Sequence, residues 1–222
     1  MSDTKRCNTK TCNTKTCNTK TSNKECNPHP NHREKQQRCG HGSFWMHDPD
    51  LIFRELKLKA GDFFLDMGCG PGDYSILASK IIGNSGIVYA LDKWQDLIDN
   101  LAEKASLEGI KNIRGMVSDI TRPLPLEKSC IDVYFLSTVL HSLDLVKDSN
   151  MIFSEIHRVL KPDGRLAIIE CKKEEMSFGP PLHMRLSPEE LENLIEKYGF
   201  EKINLVDLGY NYMIQFRKIP PK

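Results

Sequence analysis

Asp66, Gly68, Cys69, Gly70 and Gly72 fall within one seven-residue stretch, at the end of an apolar run that begins at Phe63. Beyond Asp73 the pattern becomes helical, with Ile76, Leu77, Ala78, Ile81 and Ile82 on one side. A strand, a glycine turn and a helix bring backbone close to a ligand and leave free N–H groups at the helix start. Two details set the chemistry. Asp73 stands where a dinucleotide fingerprint needs its third glycine, and Asp66 precedes the turn. A carboxylate there repels a pyrophosphate but suits an ammonium or a hydroxyl. Asp92 closes the next strand-like run, 86–92, about 20 residues past the glycines, where a carboxylate accepts hydrogen bonds from both ribose hydroxyls. Lys93 and Trp94 flank it. A third run, 113–117, is followed by Asp119 and Ile120. Three successive strands, each with an acid at its end, point at one ligand.

The run Asp66-Met67-Gly68-Cys69-Gly70-Pro71-Gly72 resembles motif I, Asp-x-Gly-x-Gly-x-Gly, of the class I S-adenosylmethionine (SAM)-dependent methyltransferases. The run from Glu155 to Leu166 resembles that family's helix–turn–strand hallmark, closest to the branch of quinone-biosynthesis, sterol and arsenite methyltransferases. The resemblance covers roughly residues 41–218. It implies SAM as cofactor, with Asp66, Gly68, Cys69 and Gly70 around its amino-acid end and Asp92 and Lys93 at the ribose. Asp119 would accept the adenine amino group with Ile120 against the ring, and Ser137 would complete the site. Where the amino-methylating branches carry Asn/Asp-Pro-Pro-aromatic, this chain has Ser137-Thr138-Val139-Leu140-His141, which argues against a planar amino nitrogen as acceptor. His141 is the candidate general base, with packing against the cofactor loop as the alternative. Trp45, Phe178, His183 and Tyr212 are the candidates for contact with the acceptor, a small molecule methylated on carbon, oxygen or sulfur.

The elements that must position these residues are legible in order. Asp48 caps a short helix with Pro49 at its first position, carrying Leu51, Ile52, Phe53 and Leu56. The aromatics of 44–45, just before it, are expected to close over the cofactor or to cover a sheet edge. Helices after the second and fourth strands carry Leu97, Ile98, Leu101, Ala105 and Leu107, and then Met151, Ile152, Ile156, Val159 and Leu160 facing inward. Lys161-Pro162-Asp163-Gly164 stops the latter, and a fifth strand spans 165–170. Ser187-Pro188-Glu189-Glu190 reads as a capping box, and 200–207 and 210–218 as a closing antiparallel hairpin. The expected fold is α/β: a doubly wound, mostly parallel seven-stranded sheet, Rossmann-like, with one antiparallel strand and a disordered N-terminal tail.

That tail, residues 1–40, is expected to be separate from a methyltransferase domain at 41–222. Cys-Asn-Thr-Lys-Thr repeats three times in tandem from Cys7, and no Leu, Ile, Val or Phe precedes Phe44. Its thiols suit soft ions, and Cys26, His29, His32, Cys39 and His41 could form a zinc site. Two further functions therefore stay open: a metalloid or thiol methyltransferase using the tail, and a non-enzymatic metal-binding or SAM-sensing protein. The arsenite enzymes carry a cysteine in the segment after the fourth strand, and 137–141 here has none. Residues 1–42 hold 9 Lys+Arg against 3 Asp+Glu, the remainder 22 against 27. A mildly acidic body is a poor nucleic-acid platform. No apolar run reaches the roughly 18 residues of a membrane span, and no signal peptide is expected. Scattered cysteines fit a reduced, cytoplasmic protein.

Overall fold

The computed structural model describes residues 43–219. The readings placed on residues 1–42, including disorder, thiolate or zinc binding and the tail boundary, lie outside the described residues.

Seven strands form one sheet: β1 Phe63–Met67, β2 Ile87–Asp92, β3 Ile113–Val117, β4 Ile131–Ser137, β5 Leu160–Cys171, β6 Phe200–Asp207 and β7 Asn211–Lys218. Their order is β3-β2-β1-β4-β5-β7-β6. The pairs among β1 to β5 are parallel, and β7 runs antiparallel to both β5 and β6, so it is the single reversed strand. The helices are α1 Pro49–Leu56, α2 Asp73–Ile82, α3 Gln95–Leu107, α4 Leu145–Val159 and α5 Pro188–Ile195, with a 3₁₀ turn Ser43–Met46 ahead of α1.

Both sheet faces are buried, which is why the central strands read as continuous apolar runs rather than alternating ones. On one face Leu65, Met67, Tyr134, Leu136, Ile168 and Phe216 pack against Ile152, Phe153 and Ile156 of α4 and Leu191 and Ile195 of α5. On the other, Phe64, Val88, Phe135, Ile169 and Met213 meet Ile52 and Leu56 of α1, with α2 and α3 alongside. Each such side chain contributes about 1.5–3 kcal/mol on burial. The chain reverses direction between β1 and β4, which opens a crevice at their carboxyl ends.

Both expected helix starts form. Asp48 Oδ1 accepts from the N–H groups of Asp50 and Leu51 ahead of Pro49, and Ser187 and Glu190 cap each other's backbone. Three expectations need correction. Leu160 belongs to β5, not the helix: it pairs with Ile131, and residues 161–164 bulge before Arg165 resumes opposite Val133. A proline without an N–H fits such a bulge better than a regular ladder. Met151 is 39% exposed and Ile81 43%, because both lie at the margin of their helix's apolar stripe, and Leu107, the last residue of α3, is 82% exposed. The last strand begins at Asn211, with Tyr210 exposed in the turn. No described helix is long and apolar enough to cross a membrane.

Candidate functional site

The glycine loop is fastened to the end of β2. Gly68 and Cys69 both donate N–H to Leu91 O, at 2.7 and 3.0 Å, and Gly70 donates to Asp92 Oδ2 at 3.0 Å. Asp92 Oδ1 accepts from Trp94 N–H at 3.1 Å, so backbone on both sides fixes the carboxylate plane. Each oxygen keeps a further lone pair for a ligand hydroxyl. Gly68 has φ +75°, and a Cβ there would lie 2.6 Å from Val139 Cγ2, so only glycine lets this loop pack on the segment after β4. Gly70 has φ +52° with nothing within 4 Å of a would-be Cβ, an open space in front of the loop.

Asp66 lies beneath the loop rather than at its surface. It is fully buried, accepts Ser75 Oγ–H from α2 at 2.6 Å, and has its pKa raised to about 7 by burial, with the Asp92 and Asp73 charges adding to the shift. Cys69 is buried, and burial pushes its thiol far up; the thiol faces Gly70 O. Lys93 stacks over the Trp94 ring at 5.1 Å. Asp119 Oδ1 takes both the N–H and the hydroxyl of Thr121, which hold its pKa below the usual value, while Ser118 N–H ties the β3 end to Asp92 O. Ile120 is buried in the core on the α4 face.

At the end of β4, Ser137 Oγ lies 3.1 Å from Ser43 Oγ, and Thr138 Oγ1 lies 2.9 Å from the same atom. Thr138 adopts φ +56°. A β-branched residue there carries strain of order 1–3 kcal/mol, of the kind concentrated at working sites. The turn 43–46 is thus seated on the strand ends. Phe44 meets Tyr74 edge-on at 5.0 Å, and His47 Nδ1 makes a short hydrogen bond to the Tyr74 hydroxyl. Burial lowers the His47 pKa to about 4, opposed by neighbouring Asn211, and His47 Nε2 and Asn211 Oδ1 have no partner among the described residues. Trp45 is 69% exposed.

The residues placed on the acceptor side do not form one cluster. His141, in the turn after β4, is held by Glu170 at the end of β5: Nδ1 to Oε2 is 2.8 Å. Glu170 Oε1 also accepts Leu140 N–H at 2.7 Å, and the residue is 1% exposed. Phe178 packs edge-on against Tyr210 at 4.9 Å, and His183 is exposed in a 3₁₀ turn. Tyr212 is buried and donates its hydroxyl to Leu186 O at 2.8 Å. The segment 172–186 is organised by Arg185, 3% exposed, whose guanidinium donates to the carbonyls of Lys172, Glu174, Phe178 and Pro180. Sequence reasoning missed Glu170 and Arg185. Glu170 had a signal, since it is a fourth acid at a strand end. Arg185 had none, because its partners are all backbone. Among the described residues no group of three or more His, Cys, Asp or Glu is placed to hold a metal ion.

A family model described as a methyltransferase domain matches residues 58–208, from just after α1 to the end of β6. The chain belongs to that family. Its domain is similar to a SAM-dependent methyltransferase of solved structure from Aquifex aeolicus, with 30% identity and a TM-score of 0.75 over 84% of this chain and 98% of that one. It is also similar to the demethylmenaquinone methyltransferases of Lactobacillus johnsonii, 36% identical over 122 residues, and Lactococcus lactis, 35% over 133. These matches take in 55% and 58% of this chain but only 49% and 50% of the relatives, so the chain spans about half the length of the curated relatives it matches.

Proposed function

We propose that this domain is a SAM-dependent methyltransferase acting on a small-molecule acceptor through carbon, oxygen or sulfur. The observation that carries the reading is the glycine loop fastened to Asp92, with open space in front of Gly70. The donor set fits the cofactor. Asp92 would take the ribose hydroxyls, and the N–H groups at the start of α2 together with the 68–70 backbone would take the amino-acid end. Asp119 and Ile120 would face the adenine, and Ser137 would close the site beneath Ser43. Asp66 acts through the loop, holding it against α2 by the bond from Ser75. Bound SAM supplies an electrophilic methyl on a sulfonium. The chain therefore has to orient the acceptor, keep water away and receive a proton where one is released. Trp45 and the 172–186 segment, with Phe178 and His183, would wall the acceptor; Tyr212 braces that wall through Leu186; His141 would be the base. The names of the curated relatives favour a quinol-type acceptor.

Calorimetric titration of SAM into the full chain tests this. Asp92→Ala should weaken binding roughly 100-fold, since hydrogen bonds to a charged acceptor contribute about 1.5–3 kcal/mol each. No SAM binding by the unaltered protein, or equal affinity in the variant, would overturn the reading.

A further inference from the structure

We propose that Glu170 is a positioning residue that holds His141 as a proton acceptor, and that the methyl acceptor is accordingly one that must release a proton. This deepens the methyltransferase reading and rests on it. The argument is geometric. Glu170 cannot swing, because Leu140 N–H fixes Oε1 at 2.7 Å while Oε2 faces His141 Nδ1 at 2.8 Å. A neutral imidazole beside an acceptor-only carboxylate must present its N–H to it, so the proton sits on Nδ1 and Nε2 carries the lone pair. The His141 side chain keeps 18% of its surface exposed, in the turn that follows β4 at the carboxyl end of the sheet. Other ionisable groups nearby have their own partners. Asp144 accepts Lys147 N–H at the start of α4, and Tyr212 on β7 donates to Leu186 O.

This arrangement discriminates between acceptors. A thioether or tertiary amine attacks with a lone pair it already owns and loses no proton, so a held base would be idle. A hydroxyl, a thiol or a hydroquinone carbon must shed one. In the balanced step the acceptor's electron pair forms the new bond to the methyl carbon. The S–CH3 pair leaves with sulfur, which becomes a neutral thioether. The O–H or C–H proton passes to Nε2, and its bonding pair stays on the acceptor. The positive charge lost by the sulfonium reappears on an imidazolium facing Glu170.

Nitrogen-15 NMR of the full chain reads the tautomer directly, with His141→Gln identifying the signal. A proton on Nδ1 is expected; a neutral ring protonated on Nε2 would overturn the proposal with no variant needed. In Glu170→Gln the amide keeps an oxygen for Leu140 but offers N–H to Nδ1, which moves the ring proton to Nε2. With chemically reduced 1,4-naphthoquinone as acceptor, kcat should fall about 100-fold or more, with KM and SAM affinity nearly unchanged. His141→Gln should lose as much, and the double variant little further. An unchanged kcat in Glu170→Gln, or a loss matched by weaker SAM binding, would sink the positioning role. Turnover of a simple thioether in preference to the naphthohydroquinone would sink the acceptor class. Absence of SAM binding would instead strike the underlying reading, which the NMR arm does not depend on.

Discussion

Asp66 makes the stability of the domain depend on pH. Its folded pKa of about 7 stands above the ordinary 3.8, so the native state holds a proton that the unfolded chain releases between those values. Stability is therefore lost as pH rises from about 4 to 7, and the full penalty remains above that. Asp66→Asn keeps an acceptor for Ser75 and removes the ionisation. The variant should match the parent near pH 4 and melt several degrees higher at pH 8; a constant difference across that range would show that Asp66 titrates normally. His47 acts with the opposite sign, since its folded pKa of about 4 lies below 6.5 and stability is lost as pH falls through that interval. Because parent and variant share His47, their difference isolates Asp66. At this scale much of the candidate site was readable in advance, since Asp66, the glycines and Asp92 announce themselves by type and spacing within a short stretch. Glu170 did not, because its meaning lies in two partners 29 and 30 residues earlier, on a neighbouring strand end.

At the scale of elements, the 172–186 segment hangs on one side chain. Among the described residues Arg185 has no carboxylate as a hydrogen-bond partner; four backbone carbonyls share its guanidinium instead. Arg185→Met would leave those part-buried carbonyls unpaired, at about 1–3 kcal/mol for each one that finds no water. The expected outcome is faster proteolytic nicking within 172–186 and a raised acceptor KM, with SAM affinity unchanged. Equal protease resistance would show that the segment holds itself. The turn 43–46 is a second such piece, joined to the end of β4 through Ser43 and to α2 through Phe44 while Trp45 faces solvent. Trp45 fluorescence, measured in a Trp94→Phe background because the chain has two tryptophans, should change on SAM addition. Trp45→Ala should lower turnover more than the melting temperature; a signal indifferent to SAM would make the turn mere cover. Local chemistry foretold the helix starts, where cap and proline stand side by side. It misjudged Met151 and Ile81, since helical periodicity places a stripe but not its edges.

For the whole molecule, the described residues 43–219 belong to one compact unit. Residues 1–38 supply no Leu, Ile, Val or Phe to any core. Deleting 1–38 should shift the melting temperature of the domain by no more than a degree or two and leave SAM affinity intact; a loss of several degrees would show that the segment packs on the body. The strand order has a different consequence. β5 and β6 never touch as a pair; each is completed only by β7, the later-made strand that slides between them with residues 211–216 buried. On a ribosome adding about 5–20 residues per second, a nascent chain complete through β6 still exposes two unsatisfied strand edges and an open apolar seam. Until residues 211–218 are made, the growing chain keeps that seam open, and a message truncated within those codons would yield a sticky fragment rather than a slightly shorter domain.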